Sequence, residues 1–476
     1  MRVHNLRSIR ICTMKVTPLD GYKKVKPMIN VSRFISNGFM RISVLLLLGA
    51  LVACGPAPSN TTSASSPVIE TVDSALEMVA PEEVGMDSTR LDRVTEAMQG
   101  LVDDGLLAGA VTVAARDNKI IHFESVGYRD MELEAQMTND ALFRIYSMTK
   151  PITGAAMMIL YEEGKFKLSD PVEKYIPEMA NLQVYAGDNA DGSMITEEAN
   201  HKMTIRELMS HTGGLTYGVF GNTPVDIAYV ESGVGAAAAA GVLEPNETGK
   251  DFVTKLGQLP LKHQPGSQWE YSVSVDVQGY LVEVLSGQKF GDFLEQRIFD
   301  PLGMGDTDFH VPEEKLSRFA QMYVFDTDGE MTPNELFDGA DYTKAPDFQA
   351  GGSGLVSTAM DYLRFTQMML NGGELDGVRI LAPLTVDIMH RDQTPKDVTS
   401  IAFGLDFAVI QDPVEAESYS KGEYYWGGAA GTWFWIDPVE DIVFVGMVQI
   451  AGELTPDVRG ISRRLLYQSI MDPKGI

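Results

Sequence analysis

The sequence contains three copies of a residue pair that can do covalent chemistry, a serine followed three residues later by a lysine. The copies are Ser147–Lys150, Ser286–Lys289 and Ser418–Lys421. A lysine amine that lies close to a serine hydroxyl and is shielded from water is pushed toward its neutral form. It can then accept the hydroxyl proton and turn the serine into a nucleophile. The spacing alone does not choose among the three copies.

The context of each pair selects the first copy. The two side chains act together only if they project the same way from a rigid helix start, one turn apart. A glycine directly after the serine of the second copy marks a helix end, and a polar run surrounds the third copy. The first copy instead opens an apolar stretch that predicts a buried helix over Ser147–Glu163, stopped by Gly164.

The start of this predicted helix favours a reactive serine. Unpaired backbone N–H groups and the helix dipole stabilise negative charge on the Ser147 oxygen. Pro151 is tolerated there, because N–H groups of the first turn have no partner within the helix. The sequence therefore predicts Ser147 as a nucleophile with Lys150 as its proton acceptor. The alternative is a serine that merely caps the helix beside a surface lysine.

Two further segments carry groups that such a nucleophile needs. Tyr271, in Gln268–Ser274, offers a phenol that can relay a proton to a leaving group. The glycine-rich segment Tyr425–Thr432 leads into a predicted strand, and its missing side chains let a substrate approach the backbone. A backbone N–H there, paired with that of Ser147, could form an oxyanion hole. Taken singly, a tyrosine is more often a core residue and glycines more often form a turn.

Strand patterns near both ends of the folded part indicate the element that must hold these groups. The patterns form two hairpins: Leu107–Ala115 with Ile120–Val126, and Thr432–Ile436 with Ile442–Val448. An amphipathic helix is predicted over Arg459–Met471. The fold class is therefore α/β (α+β), an antiparallel sheet flanked by helices. Residues 165–335 alternate helical patterns with Gly- and Pro-rich loops and predict a mostly helical insertion, in which Val184–His201 and Gly233–Gly241 form surface excursions or lids.

In this order, the three chemical segments resemble the class C beta-lactamase family, which includes carboxylesterases and D-peptidases. The resemblance covers about residues 80–470 and extends to the landmarks Thr204–Leu215, Phe299–Met304 and Gly351–Thr358. It implies a beta-lactamase/transpeptidase-like catalytic domain over 80–476. Within it, 80–164 and 336–476 would form the sheet domain and 165–335 the helical domain, with the site between them.

The resemblance also implies a role for each residue of the site. Ser147 would be the nucleophile, and Lys150 and Tyr271 would exchange protons with it. The backbone N–H groups of Ser147 and Ala429 would form the oxyanion hole. Which of Lys150 and Tyr271 takes the first proton stays open, because coupled groups share their titration. His211, inside a landmark, is interpreted as a packed side chain and not as a general base.

Two departures from the family pattern bear on the substrate. Where the beta-lactamases have an asparagine two residues after the tyrosine, this chain has Val273, which cannot hydrogen-bond an amide. Where they have Lys-Thr-Gly, it has Trp426, Gly427 and Gly428, which replaces a cation with apolar surface. With these four residues predicted to contact substrate, the pattern favours the carboxylesterase branch and short-acyl esters of modest charge.

Two other functions stay open at this point. One is a cell-wall D-peptidase or beta-lactamase, and the other is a non-catalytic lipoprotein that binds the cell envelope. The partner expected of an enzyme of this kind is a small-molecule ester or amide. Neither a cofactor nor a metal is expected, since the seven histidines are scattered and no zinc-ligand spacing occurs. The sequence leaves the oligomeric state open.

Composition and charge disfavour several classes of protein. The chain is 44% hydrophobic and 22% charged, which argues against a disordered chain and a multi-span membrane protein. Its formal net charge is −28, and residues 54–476 hold 29 basic against 65 acidic residues, or −36. Such a surface repels phosphate backbones and disfavours nucleic acid as a partner. The two cysteines, Cys12 and Cys54, lie before the predicted fold, which therefore has no disulfide.

The N-terminal part predicts export and lipid anchoring. Residues 40–53 combine a short basic start, a brief apolar run and small residues, as in a secretory signal peptide. The run ending in Cys54 looks like the lipobox of bacterial lipoproteins, whose cysteine is acylated. Residues 54–79 would form a flexible tether, and 1–39 a spurious or unstructured extension. These features predict an exported protein of the bacterial cell envelope that meets the membrane only through its anchor, the alternative being an ordinary signal peptide.

The lipid anchor can be tested by mass. We expect the membrane-extracted protein to begin at Cys54 and to carry the mass of its acyl chains, because two or more anchoring signals hold a protein stably on a bilayer. Intact-mass spectrometry of the purified protein measures this directly. An unmodified Cys54 in the mature chain contradicts the anchor, and so does a Cys54→Ala variant that stays membrane-bound.

Overall fold

A computed structural model of the chain describes residues 76–235, 238, 247–326, 328–334, 341–395, 401–452 and 454–475. The predicted extension, the signal peptide, Cys54 and the tether up to residue 75 lie outside the described residues. Export and anchoring therefore stay predictions. Among the described residues, no helix combines the length and the hydrophobicity needed to cross a bilayer.

Strands occur throughout the described part of the chain. They are β1 Glu77–Met78, β2 Gly109–Arg116, β3 Lys119–Asp130, β4 Ala135–Gln136, β5 Phe143–Arg144, β6 Gln183–Asp188, β7 Met194–Glu198, β8 Tyr323–Phe325, β9 Met331–Pro333, β10 Val356–Ser357, β11 Glu374–Leu375, β12 Val378–Arg379, β13 Ile401–Phe403, β14 Ala408–Ile410, β15 Tyr424–Gly427, β16 Trp433–Asp437, β17 Ile442–Met447 and β18 Ile450–Ala451.

Helices separate these strands. They are α1 Ser88–Leu91, α2 Arg93–Asp103, α3 Thr149–Glu162, α4 Ile205–Met209, α5 Pro224–Glu231, α6 Gly249–Leu256, α7 Ser274–Ser286, α8 Phe290–Leu294, α9 Asp300–Leu302, α10 Ala359–Leu370, α11 Pro383–Met389 and α12 Val458–Tyr467. Short 3-10 turns cover Pro81–Val84, Tyr146–Met148, Val172–Lys174, Pro177–Met179 and Glu313–Arg318, and Glu295–Phe299 is a π-helical turn.

The main sheet joins the two ends of the folded part, as the strand patterns predict. Its order is β1-β3-β2-β17-β16-β15-β14-β13, with β4 on β3. Both predicted hairpins are present, as β2 with β3 and β16 with β17. The sheet is antiparallel, as predicted, except at one edge, where β1 pairs parallel with β3. A parallel pair needs a crossover connection, and α1 and α2 lie between β1 and the hairpin.

Both faces of this sheet are covered, which explains its nearly continuous apolar strands. β2, β16 and β17 are buried at every position. One face packs against α1, α2 and α12, and the other packs against α3 and α10. A sheet that is buried on both sides needs apolar residues on both faces of each strand. The groups that do chemistry therefore belong to the loops and strand ends that leave this core.

Helix α3 is the buried helix that the sequence predicts, with one local difference. Every residue from Thr149 to Leu160 is buried, and Gly164, with a φ of +71°, follows the end of the helix. The α-helix begins at Thr149 and not at Ser147, because Ser147 lies in the 3-10 turn that precedes it. Tight 3-10 turns are common at helix starts, and this one still leaves Ser147 within reach of Lys150.

Residues 165–335 contain helices but also small sheets that the sequence analysis did not predict. The polar stretch Val184–His201 includes the hairpin of β6 and β7, whose second strand is largely exposed. β8, β9 and β18 form a three-stranded sheet. Part of Gly233–Gly241 lies outside the described residues. The described residues from Leu76 onward belong to one compact unit, and its division at residues 165 and 335 stays a prediction.

Candidate active site

Ser147 is held near the sheet by a strained turn. The residue before it, Tyr146, has a φ of +41° and is buried. Such a φ is costly for a residue with a side chain and persists only where surrounding contacts enforce it. On one side of the turn the Ile145 N–H donates to the Leu355 carbonyl at 3.1 Å. On the other side the Tyr362 hydroxyl donates to the Met148 carbonyl at 2.8 Å.

Lys150 is completely buried beside this serine. Its Nζ donates to Ser147 Oγ at 3.1 Å, to the Tyr217 hydroxyl at 3.0 Å and to the Gly352 carbonyl at 2.7 Å. An ammonium group has three hydrogens to donate, so each of them has an acceptor. The amine is therefore fixed in one place, within hydrogen-bond distance of the hydroxyl that it is predicted to deprotonate.

Tyr271 reaches the same hydroxyl from the segment before α7. Its phenol donates to Ser147 Oγ at 2.6 Å, and the Lys150 amine lies 4.8 Å from the centre of its ring. The structure thus brings together the three side chains that the sequence singles out. Their contact is a finding, whereas the chemical role of each stays a prediction.

Tyr217, which no sequence pattern singled out, completes the set of acceptors around Lys150. It is buried, and it lies two residues beyond the landmark Thr204–Leu215 that the sequence analysis recognised. Burial raises the pKa of the Tyr217 phenol well above its usual range, so this hydroxyl stays protonated at neutral pH. No local pattern marks this tyrosine, because its partner is 67 residues away in the chain.

A ring of aromatic side chains surrounds the phenol of Tyr271. Its ring centre lies 5.1 Å from that of Tyr217, 5.4 Å from Trp426, 6.0 Å from Phe220 and 6.1 Å from Trp269. Aromatic rings at these separations attract one another and restrict each other's orientation. Phe220 is nevertheless 73% exposed. The mouth of the site is therefore apolar, whereas its floor is polar.

Two residues near this ring are structural. His211 is buried, its Nδ1 lies 3.0 Å from Ser272 Oγ, and burial lowers its pKa well below the usual value. It makes no described hydrogen bond to Ser147, in agreement with its interpretation as a packed side chain. The structure does not support the prediction that Val273 contacts substrate, because this residue is 0% exposed and belongs to the larger hydrophobic core. Its side chain points inward just before α7, so it does not contact substrate.

The glycine-rich segment lies against the nucleophile's turn. A Cβ on Gly428 would stand 2.4 Å from the Ile145 carbonyl oxygen, so only glycine permits this approach. The Gly428 N–H donates to the Thr432 carbonyl at 2.7 Å and closes the turn that contains Ala429. Within the described residues, the N–H groups of Ser147 and Ala429 donate to no acceptor. Both donors are free to meet a substrate oxygen, as an oxyanion hole requires.

A cavity of about 660 Å³ opens beside Trp426, Gly427 and Gly428. Its walls come from β15, from the aromatic residues Trp269 and Phe403, and from the loop that leads into α12. The three predicted substrate-contact residues of the glycine-rich segment therefore line a cavity, in contrast to Val273. Ser147, Lys150 and Tyr271 are not among its lining residues, so the cavity lies beside the serine and not over it. The volume is within the range of small-molecule sites, which are mostly apolar with a few polar groups.

Arg459 brings a positive charge into this cavity, which the sequence analysis did not foresee. A Cβ on Gly427 would stand 2.5 Å from its Nη2, and the guanidinium lies 4.8 Å from the ring centre of Tyr425. In the part of the chain that the structure describes, no carboxylate forms an ion pair with it. Trp426 stands where the beta-lactamases have a lysine, and Arg459 of α12 places a cation in the wall of the same cavity. A positive charge in the first turn of a helix is unfavourable with the helix dipole. The position of Arg459 at the start of α12 was the one feature of the sequence that could have marked it as a candidate site residue.

An ion-pair cluster joins the residues that precede the two phenols, Thr216 before Tyr217 and Glu270 before Tyr271. The Lys262 amine lies 2.6 Å from Glu270 Oε1 and 3.2 Å from Asp226 Oδ1. Thr216 Oγ1 donates to Asp226 Oδ1 at 2.8 Å. The Asp226 side chain is 0% exposed. Because buried carboxylates need a partner, this cluster ties the two phenols to one rigid support.

Comparison with known proteins shows what this chain is similar to. A family model described as Beta-lactamase matches residues 94–468. An uncharacterised protein of Mycobacterium tuberculosis is 34% identical over 384 residues, covering 77% of this chain and 92% of the relative. Esterase EstB of Burkholderia gladioli is 30% identical over 357 residues, covering 69% of this chain and 82% of the esterase.

A solved structure matches the fold at similar length. EstCE1, described as a hydrolase with promiscuous acyltransferase activity, superposes with a TM-score of 0.66 at 27% sequence identity. The match covers 80% of this chain and 99% of EstCE1. The mixed sheet with helices on both faces is therefore a beta-lactamase/transpeptidase-like fold, as the sequence predicts.

The ion-pair cluster behind the phenols yields a stability prediction. Lys262→Met leaves the buried Asp226 carboxylate without its cation, so we expect a loss of about 3 kcal/mol in the free energy of unfolding. Lys344→Met is the matched control, because Lys344 pairs with Asp341 while 79% exposed. That change should leave the free energy of unfolding nearly unaltered, since an exposed pair contributes little. Urea unfolding of both variants measures the difference. Equal losses would show that the buried cluster stabilises the fold no more than an exposed ion pair does.

Proposed function

The chain belongs to the beta-lactamase family of serine hydrolases, and from that membership we propose that it is a carboxylesterase. In this proposal Ser147 forms an acyl-enzyme with short-acyl esters. The supporting observation is the contact of three groups, because the Lys150 amine and the Tyr271 phenol both donate to Ser147 Oγ. A nucleophile within hydrogen-bond distance of its base is the arrangement that acyl transfer needs.

The first half of the proposed reaction acylates Ser147. Once the pair formed by Lys150 and Tyr271 has lost one proton to solvent, the Ser147 hydroxyl proton passes to that pair as Oγ bonds to the ester carbonyl carbon. The carbonyl oxygen becomes an oxyanion and accepts hydrogen bonds from the N–H groups of Ser147 and Ala429. The bond to the leaving alkoxide then breaks, and the Tyr271 phenol protonates the departing oxygen. The alcohol leaves and the acyl group stays on Oγ.

The second half returns the free enzyme. A water molecule gives a proton to the same pair while its oxygen bonds to the acyl carbon. The tetrahedral intermediate collapses, Ser147 Oγ recovers a proton, and the carboxylic acid departs. An alcohol in place of water would give a new ester by the same steps. Hydrolysis and acyl transfer therefore need no further residue, and the similar chain EstCE1 is described as having both activities.

The walls of the site favour ester substrates over more polar ones. Trp426 and Phe220 add apolar surface at its mouth. Because Val273 is enclosed in the core, position 273 supplies no hydrogen bond to a substrate amide. EstB, a similar chain, is described as an esterase. We further propose that the enzyme works at the bacterial cell envelope, held by Cys54 as the N-terminal sequence predicts.

The nucleophile is tested by comparing two serines of the same local pattern. We expect Ser147→Ala to lower the turnover of 4-nitrophenyl acetate by at least about a thousandfold, because the acyl-enzyme can no longer form. Ser286→Ala, in the second Ser-x-x-Lys copy, should leave turnover unchanged. Release of 4-nitrophenol is followed by absorbance. Turnover retained in Ser147→Ala would end the proposal, and a fluorophosphonate probe that fails to label Ser147 would favour a non-catalytic binding protein.

Arg459 is the specific observation that favours the second candidate, a cell-wall D-peptidase or beta-lactamase. Substrates of that kind carry a carboxylate, which a guanidinium binds well. Arg459 lines the cavity beside Gly427, and no carboxylate of the described residues pairs with it. The nearby carboxylate of Asp457 is occupied in part, because it accepts the Gly460 N–H at 2.9 Å. The charge of this arginine is therefore available to an anionic ligand.

The two candidates differ in how they depend on Arg459. We compare 3-acetoxybenzoate, which carries a carboxylate, with its neutral methyl ester. In the second candidate, Arg459→Gln lowers the ratio of the two kcat/KM values by about 10- to 100-fold, because a charge-assisted hydrogen bond contributes about 1.5–3 kcal/mol. Arg464→Gln removes an exposed charge of the same helix as the control. If the ratio is unchanged in Arg459→Gln and a cephalosporin is not turned over, the second candidate is excluded and the esterase remains.

A further inference from the structure

Two buried carboxyl groups lie behind Lys150, and the reaction described above uses neither. Asp276 belongs to the first turn of α7, and Asp406 lies in the loop between β13 and β14. Both are 0% exposed. The Lys150 amine has no ion pair with any described carboxylate, since its three acceptors are two hydroxyls and a carbonyl. A buried ammonium without a nearby counter-charge is costly, so these acids matter to it.

Asp276 is connected to Lys150 through a single residue. Its Oδ1 accepts the Gly352 N–H at 2.9 Å, and the Gly352 carbonyl accepts a hydrogen bond from the Lys150 amine at 2.7 Å. The preceding Gly351 carbonyl accepts the Thr153 hydroxyl at 2.7 Å. The two glycines thus bridge α7 and α3, and Asp276 determines where this bridge lies.

The space around Gly352 shows how tightly this bridge is held. A Cβ on Gly352 would stand 2.7 Å from Asp276 Oδ2, 2.9 Å from Oδ1 and 3.0 Å from the Tyr217 hydroxyl oxygen. The carboxylate and the phenol therefore meet over the same glycine. Asp276 Oδ2 is fully enclosed and has no hydrogen-bond partner among the described residues. Its negative charge is not dispersed into water and acts on the groups next to it.

Asp406 is placed differently, although it is equally buried. Its Oδ1 accepts a hydrogen bond from Gln278 Nε2 at 3.1 Å, and its Oδ2 would lie 2.7 Å from a Cβ on Gly154 in α3. It makes no described hydrogen bond to the glycine bridge. Burial raises the pKa of Asp406 well above its usual range, and burial raises that of Asp276 to about 7. At about pH 7, Asp276 therefore carries charge in part.

We propose that Asp276 is a positioning residue that holds the Gly352 carbonyl on the Lys150 amine and supplies the counter-charge that retains a proton there. The proposal rests on the esterase function proposed above. While Lys150 is a protonated ammonium, it cannot accept the serine proton. One proton must therefore leave to solvent before Ser147 is activated. The Asp276 charge delays that loss to higher pH, and it thereby sets the lower pH limit of activity.

The other titratable groups around Asp276 do not supply this control. Lys150 faces it from α3, and Asp406 lies across from Gln278. The remaining groups are phenols and an imidazole from the loop after α4 and the segment before α7, namely Tyr217, His211 and Tyr271. Burial raises the pKa of Tyr217 and lowers that of His211, so both stay neutral between about pH 6 and 9. Asp276 is the carboxyl group that contacts the glycine bridge, and its pKa of about 7 lies within the working range.

The test compares two isosteric changes in the pH dependence of kcat/KM for 4-nitrophenyl acetate between about pH 5.5 and 9. Asp276→Asn keeps an acceptor for the Gly352 N–H but removes the charge. Without a neighbouring anion the cluster binds its proton less tightly, so the acid limb moves to lower pH by about one unit or more. Asp406→Asn is the matched control and leaves the limb in place. Asp276→Ala also frees the bridge and lowers kcat at every pH.

An acid limb unmoved in Asp276→Asn overturns the proposal, and so does a shift found in Asp406→Asn instead. If Asp276→Asn does not fold, the carboxyl stretching bands in the infrared spectrum of the unaltered chain give a second measurement. Carbon-13 labelling of aspartate separates these bands from that of Glu423, a carboxyl whose pKa burial also raises to about 7.

We expect an aspartate band that titrates near pH 7 and is retained in Asp406→Asn. Aspartate bands that all persist across the tested pH range in Asp406→Asn overturn the proposal, because Asp276 would then carry no charge in the working range. Turnover that survives Ser147→Ala refutes the esterase function alone, because the infrared titration does not depend on activity.

Discussion

The burial of the Lys150 amine is the constraint on which the rest of the site depends. A fully enclosed amine must have a hydrogen-bond acceptor for each of its hydrogens, because an unmet donor in the interior is costly. Here the acceptors come from three different parts of the chain, Ser147, Tyr217 and Gly352. Those parts cannot move independently once the amine is enclosed. The pre-organisation of the proposed nucleophile follows from this requirement.

Close backbone approach is the second condition, and glycines supply it at the places where side chains would collide. A Cβ on Gly428 would meet the carbonyl of the residue two before Ser147, and one on Gly427 would meet the Arg459 guanidinium. A Cβ on Gly352 would meet the carboxylate and the phenol that flank the Lys150 amine. The glycines thus let charged and polar groups come close to the reacting atoms. Larger residues there would separate the groups that the chemistry needs together.

The charges of the site are arranged against the background of a strongly acidic chain. Residues 54–476 carry a net charge of −36, whereas the described site contains Lys150 in its floor and Arg459 in its cavity wall. The two acids behind Lys150 are buried, and burial raises the pKa of each of them. These two cations therefore provide local positive charge in spite of the acidic surface. This contrast follows from which carboxyl groups the fold hides from water.

Local patterns in the sequence singled out the Ser147–Lys150 pair and determined the buried helix and the two hairpins, because each depends on residues only a few positions apart. Tyr271 and the glycine-rich segment became specific candidates only through the resemblance to a known family. Tertiary structure alone decided that Tyr217, Asp276 and Arg459 surround the site, since each meets partners that are remote in the chain. It also placed Val273 in the core, because packing at the start of α7 decides which side chain faces the cleft. Such directions depend on contacts between elements, which periodicity and spacing do not encode.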